Sequence, residues 1–475
     1  MARVLTPDIC VIGAGSGGLT VAAAAAAFGV DVVLIEKGKM GGDCLNYGCV
    51  PSKALISAAR RAQIARTGSE LGINADGVNV DFAQVHDHVQ SVIAAIAPHD
   101  SVERFEGLGV TVIQEAGKFV SKDEVQAGET TIRARRFVIA AGSRPAIPPI
   151  SGLDEVPYLT NETIFDLTVC PEHLIVIGAG PIGLELAQAH RRLGAKVTVV
   201  EAERALPRED PEATALVIES LRGEGVELLE KTAVRQLSGT DGEVRVVVEA
   251  GDGEREIAGS HVLVATGRKP NTDTLDLEKA GIAYEHSGIT VDKGLRTTNR
   301  KVFAIGDIAG GLQFTHVAGY QAGLVIRSIL FRLPVTYDRD IIPWVTYTDP
   351  EIAHIGLGEA EARSRFGNKV KVLEAKYAQN DRAQAAGATE GFVKLVVGAR
   401  GRLLGADVVG ASAGEIMNLM SLAVGRKLSV GQLAGMISPY PSLSEVVKRA
   451  AISYYSQAPS NPWIRRVIGF LAKFG

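Results

Sequence analysis

Residues 8–36 read DICVIGAGSGGLTVAAAAAAFGVDVVLIE: an apolar run, a glycine cluster, an alanine-rich stretch, a further glycine and a β-branched run ending in glutamate. The order predicts strand, tight turn, helix, turn and second strand. It recurs at 173–201 as HLIVIGAGPIGLELAQAHRRLGAKVTVVE. From first glycine to closing glutamate the interval is 23 residues in both copies (13 to 36 and 178 to 201). Between and after these units the pattern predicts helices over 54–65 and 81–99, short strands within 110–150 and a strand-rich stretch at 244–265. Strands then flank a helical run at 359–366, and the C-terminal end is rich in helix.

This succession predicts an α/β chain with two doubly wound, Rossmann-like nucleotide-binding domains and an α+β C-terminal domain. The expected boundaries are 1–150, 151–272, 273–342 and 343–475, the third stretch returning to the first domain. A length of 475 residues suits about three domains.

Each copy carries GxGxxG between its first strand and its helix. A lone GxGxxG is weak, but here both copies have the flanking strand, helix and acidic residue. Gly13 and Gly178 allow the tight turn, Gly15 and Gly180 let a pyrophosphate approach the backbone, and Gly18 and Gly183 let helix and strand pack closely. The helix N-terminus offers unpaired N–H groups to phosphate. Glu36 and Glu201 can accept from ribose hydroxyls. The bland alternative is a pair of βαβ units whose glycines serve packing alone.

Composition narrows the partners. Hydrophobic residues are 46% and charged residues 22%, a globular balance. A net charge of −4 and the lack of a long basic run argue against nucleic acid. No stretch reads as a secretory leader or a transmembrane segment, so a cytoplasmic location is expected. Four cysteines are too few for a disulfide scaffold. Cys10 and Cys170 read as core thiols. Cys44 and Cys49 lie close together in GGDCLNYGCVPSK at 41–53. With no second Cys or His pair nearby they make a poor zinc site. Pro51 and Ser52 predict a helix starting just after Cys49, whose N-terminus would favour its thiolate, with Cys44 the more exposed of the two.

In these motifs the chain resembles the class I pyridine nucleotide-disulfide oxidoreductases, the family of dihydrolipoamide dehydrogenase, glutathione reductase and mercuric reductase. The resemblance runs over roughly 8–455. Besides the two glycine motifs and 41–53, it rests on AAGSRP at 140–145, ATGRKPN at 265–271, VFAIGD at 302–307, DPEIAHIGL at 349–357 and GFVKLVV at 391–397. It implies that 1–150 binds FAD, 151–272 binds NAD(H), 273–342 completes the FAD site and 343–475 forms a dimer interface. Gly13, Gly15, Gly18 and Glu36 would hold the ADP part of FAD, Gly117 would lie along its adenine side and Asp307 would bind the ribityl chain. Gly178, Gly180, Gly183, Glu201 and Gly267 would serve the nicotinamide nucleotide. Cys49 would be the thiolate against the flavin and Cys44 the interchange thiol, forming a redox disulfide. Lys53 and Glu185 match a pair beside the flavin; the bland alternative is a surface ion pair. A 2′-phosphate near Glu201 and Glu203 would meet like charge, although Arg204 and Arg208 could soften it, so NAD(H) is favoured over NADP(H).

One departure bears on chemistry. Disulfide reductases of this family normally end in H-P-T-x-x-E, whose His serves the partner's redox pair in a homodimer, whereas mercuric reductases carry a phenol near this position. Here the stretch is Tyr440-Pro441-Ser442-Leu443-Ser444-Glu445. A His near pKa 6.5 can act as acid and base, whereas a phenol near 10 is mainly a hydrogen-bond donor at neutral pH. Two enzymatic expectations follow. One is an FAD-dependent NADH:disulfide oxidoreductase of the dihydrolipoamide dehydrogenase type. The other is a flavoprotein reductase of metal ions, quinones or other electrophiles. A mercuric-ion relay is disfavoured because the C-terminal stretch holds no cysteine. A redox-sensing flavoprotein is a third, non-enzymatic reading that nothing in the sequence requires. His316 is expected near the flavin in a structural role. Trp463, Ile464, Val467, Ile468, Leu471 and Phe474 form an apolar stripe beside Arg465, Arg466 and Lys473; it would dock onto the body, a dimer mate or a membrane surface.

Overall fold

The strands of the duplicated units are apolar at nearly every position because both of their faces are covered. In the computed structural model, which describes residues 3–75, 77–251 and 253–474, the chain separates into two compact units. One comprises Met1–Arg204 and Gly225–Tyr337, the other Ala205–Glu224 and Asp338–Gly475.

Along the first unit run β1 (Ile9–Ile12), α1 (Ser16–Ala27), β2 (Val32–Ile35), α2 (Gly42–Asn46), α3 (Cys49–Thr67), β3 (Thr111–Ile113), β4 (Arg136–Ile139), β5 (His173–Ile177), α4 (Pro181–Leu193), β6 (Lys196–Val200), β7 (Glu227–Leu229), β8 (His261–Val264), β9 (Val302–Ala304) and α5 (Thr315–Phe331). The first sheet has the order β9-β4-β1-β2-β3 and the second β7-β6-β5-β8. Every pairing within them is parallel. Ile9 pairs with Val32 and His173 with Lys196, the same offset in both copies. Strand β9 brings the stretch after the second nucleotide sheet back to the first.

Alternation along β1 explains its burial. Ile9 and Val11 face α1 and α5, packing with Leu19, Val21 and Val325. Cys10 and Ile12 face a small sheet, packing with Phe119, Val125 and Ile132. Cys10 is accordingly fully buried, and burial pushes its thiol up. Cys170 is not a core thiol: it is half-buried beside the carbonyls of Pro171 and Leu193.

The second unit is built on an antiparallel sheet of five strands in the order Pro343–Thr346, Glu351–Gly356, Leu403–Gly410, Gly391–Val397 and Lys371–Lys376. Its apolar face packs Ala353, Val393, Leu395 and Val408 against Met417, Met420, Val446 and Val447 of the helices that follow. A polar row crosses the sheet through Trp344, His354, Asp407 and Lys394, each paired with the next. Lys394 bonds Asp210 and Glu212 at 2.7 and 2.9 Å, and the Trp344 indole N–H donates to Glu209 at 2.9 Å. The helix Pro211–Gly223 thus groups with this unit, although it falls within the 151–272 stretch marked out from sequence.

Candidate active site around Cys44 and Cys49

Both glycine turns are built alike. A Cβ on Gly13 would stand 2.3 Å from the Ala140 carbonyl oxygen, and one on Gly178 2.6 Å from that of Ala265; both residues have φ above +100°. A Cβ on Gly18 or Gly183 would lie 1.9 or 2.0 Å from the carbonyl oxygen of the first glycine of its own turn. Gly15 and Gly180, at the helix N-caps, have open space where a Cβ would be. The first and third positions are closed by packing, and the middle one is open to a ligand. The acidic residues are already tied to these turns. Glu36 accepts from the amides of Ala14 and Gly38 at 2.6 and 2.7 Å, and Glu201 from those of Ala179 and Glu203 at 2.8 and 3.0 Å. Gly117 starts the strand Gly117–Ser121, where a Cβ would press on Ile35 at 3.1 Å.

The cysteine motif sits directly on the first turn. A Cβ on Gly42 would stand 2.7 Å from the Gly15 Cα, so only glycine lets α2 come this close. Gly48 is similarly restricted by the Asp43 carboxylate at 2.8 Å. Cys44 lies on α2 and Cys49 opens the 19-residue α3. Cys44 is half-buried and Cys49 exposed, against the expectation that Cys44 is the more open of the two.

With both sulfurs as thiols, the hydrogen bond from Cys44 lowers Cys49 to about 6. Burial opposes this, while Thr315, whose Oγ1 is 3.6 Å from the Cys49 sulfur, and the positive charge of Lys53 assist. The same hydrogen bond, with burial and the charge on Cys49, pushes Cys44 well up. The pair is therefore polarised, Cys49 toward thiolate and Cys44 toward thiol.

Lys53, one turn into α3, lies 2.8 Å from Glu185 on α4. Glu185 is only 6% exposed, so this is not a surface ion pair. A second polar cluster joins four motifs that are far apart in sequence. Asp307 accepts from Ser143, Arg268 donates to Ser143 at 2.7 Å and lies 3.7 Å from Asp307, and Arg268 bonds Asp43 at 3.1 Å. Asn161 donates to Asp43 at 3.0 Å. Burial raises the Asp307 carboxyl, against the opposing pull of Ser143 and Arg268. Gly267 precedes Arg268 at φ +133° with open space at its Cβ position. Sequence reasoning did not single out Thr315, Arg268, Ser143 or Asp43. Each adjoins a residue that it did: His316, Gly267, the AAGSRP glycine and Cys44. His316 itself is exposed and stacks on Phe314, ring centroids 5.3 Å apart.

In the second unit the Tyr440 hydroxyl donates to Asp381 at 3.0 Å, and that carboxylate raises its pKa. Glu445 does not hold the phenol. Its carboxylate accepts from the Ser442 amide at 3.2 Å. Among the described residues no group of three or more His, Cys, Asp or Glu could hold a metal ion. Among them too, no helix is long and apolar enough to cross a membrane.

Residues 7–322 match the family described as pyridine nucleotide-disulphide oxidoreductase, and 342–451 match its dimerisation domain. A mercuric reductase of Bacillus cereus is 35% identical over 94% of this chain and 71% of its own. A dihydrolipoyl dehydrogenase of Geobacillus stearothermophilus is 36% identical over 94% of this chain and 95% of its own. Among solved structures, the HOCl-induced flavoprotein disulfide reductase RclA from Escherichia coli, as its Cu(II) complex, superposes with a TM-score of 0.84 at 28% identity, covering 94% of this chain and 99% of that one. LpdA from Mycobacterium tuberculosis gives 0.86 at 28% identity over 95% and 99%. Two glycine turns of one design, a cysteine pair seated on the first of them and matches running nearly end to end place the chain in the pyridine nucleotide-disulphide oxidoreductase family, enzymes that work with FAD and a pyridine nucleotide.

Proposed function

We propose that the chain is an FAD-dependent NADH:disulfide oxidoreductase of the dihydrolipoamide dehydrogenase type, working as a homodimer. The observation that carries this reading is the placing of the sulfur pair: Cys44 on α2 and Cys49 at the head of α3, with α2 seated against the Gly15 turn. The open positions at Gly15 and Gly180 fit dinucleotide pyrophosphates. Gly13, Gly15, Gly18, Glu36, Gly117 and Asp307 would hold FAD. Gly178, Gly180, Gly183, Glu201 and Gly267 would hold NADH, with the Glu201 carboxylate disfavouring a 2′-phosphate. Bound FAD supplies two-electron transfer between nicotinamide and disulfide. Opening the disulfide leaves Cys49 as the stabilised thiolate, with Lys53 and Glu185 setting the charge around it, and Cys44 takes up a proton and faces the acceptor. Tyr440 and Glu445 of each protomer would stand beside the pair of its partner.

The Tyr440–Asp381 bond favours a second reading for the acceptor. A phenol that already donates to a carboxylate, with its pKa raised, is a poor base for Cys44. Metal ions, quinones and other electrophiles need no protonated leaving sulfur, which suits them to such a site.

The test compares NADH-driven turnover of lipoamide, glutathione disulfide, a quinone and mercuric ion, with Cys44→Ser alongside. Loss of every activity in the variant supports electron flow through the pair. Full quinone turnover in Cys44→Ser would show that the acceptor bypasses the sulfurs and would defeat the proposal.

A further inference from the structure

The helix α6 (Pro462–Leu471) lies beyond the residues that match the dimerisation domain, and none of its side chains is buried. Ile464 and Val467 of its apolar stripe are half-buried, and Trp463, Ile468 and Leu471 are exposed. At about 100° per residue, Trp463, Ile464, Val467, Ile468, Phe470 and Leu471 fall within one arc of roughly 160°. Trp463 is 69% exposed and Ile468 60%. Arg465 borders this arc on one side and Arg466 on the other, with Lys473 on the same polar flank. From Val446 to Phe474 the chain carries Lys448, Arg449, Arg465, Arg466 and Lys473 and no acidic residue, although its net charge is −4. Basic side chains edging both sides of an aromatic-rich apolar face are the arrangement that lies in the plane of a bilayer, with rings among the acyl boundary and cations at the phosphates.

We propose that α6 anchors the enzyme to a bilayer surface bearing anionic phosphate headgroups. Charge complementarity selects this occupant, because a groove on a second copy would cover the apolar face but would also need acidic rims on both sides. The inference does not depend on which acceptor the redox pair reduces.

Flotation of the flavin-loaded full chain tests it, using vesicles of phosphatidylcholine with and without phosphatidylglycerol. The protein should float with the anionic vesicles and be released by high salt. Arg465→Gln with Arg466→Gln should weaken partitioning on the order of tenfold or more. Trp463→Ser with Phe470→Ser should abolish it, retained flavin absorbance showing that the variant is folded. The proposal is overturned if the unaltered protein stays unbound with anionic vesicles, or if the aromatic variant floats equally well. It is overturned too if that variant turns a dimer into monomers in sedimentation, which would assign the face to a second copy.

Discussion

The Tyr440 hydroxyl donates to the Asp381 carboxylate at 3.0 Å, while Glu445, five residues on, is engaged with the Ser442 amide. The phenol is thus held as a donor. Tyr440→His should raise lipoamide turnover, by up to the about 10² to 10⁴ that general acid–base help contributes. Tyr440→Phe should leave it near the unaltered rate. Steady-state assays on the two variants check this; a large loss in Tyr440→Phe would show that the phenol moves a proton after all.

In the reduced protein, iodoacetamide should modify Cys49 with a pH midpoint near 6, and Cys44 only at much higher pH. Peptide mass mapping across a pH series distinguishes the two sites. A single midpoint in the ordinary thiol range for both would contradict the polarised pair.

Replacing Lys53 by Met removes a positive charge that helps hold Cys49 ionised, so its alkylation midpoint should rise. It also leaves Glu185 buried without this partner, which should cost about 1 to 3 kcal/mol, Lys53 itself being partly exposed. The double variant Lys53→Met/Glu185→Leu should regain much of that stability. Chemical denaturation gives the stability, and alkylation gives the midpoint.

Burial pushes the Glu209 carboxyl up to about 7, against the pull of His354 and the Trp344 N–H. For His354, burial works downward, but its 2.6 Å bond to Asp407 raises it overall. Both groups bind protons more tightly folded than unfolded. Their stabilisation is complete below the unfolded pKa values and is lost as pH rises through the folded ones. Glu209→Gln should therefore lose less Tm between about pH 5 and pH 8 than the unaltered protein. An equal or steeper decline would remove Glu209 from the account.

The glycines separate folding from binding. Gly183→Ala drives a methyl into the Gly178 carbonyl and should destabilise by about 1 to 3 kcal/mol. Gly180→Ala meets open space and should fold normally while raising the KM for NADH. Thermal melts beside kinetics decide; equal melting losses would deny the distinction.

The duplicated turns were legible because their order, spacing and closing glutamates are local properties of about thirty residues. The start of α3 at Cys49 followed from Pro51 and Ser52 for the same reason. The Arg268 cluster was not legible, since it joins Asp43, Ser143 and Asp307 from segments whose meeting depends on tertiary packing. The helix Pro211–Gly223 was drawn into the second unit by the buried Lys394, a pairing across nearly two hundred residues that no periodicity announces.

The braces at Glu36 and Glu201 carry one further consequence. Each carboxylate grips the amide beside its own glycine turn, so both turns are braced to the same local geometry. The two frames then differ in what surrounds each: Gly42 and the sulfur-bearing turn crowd against the first, whereas Ala202 and Glu203 follow the second. One local frame occurs twice over, and what distinguishes the copies lies in their neighbours.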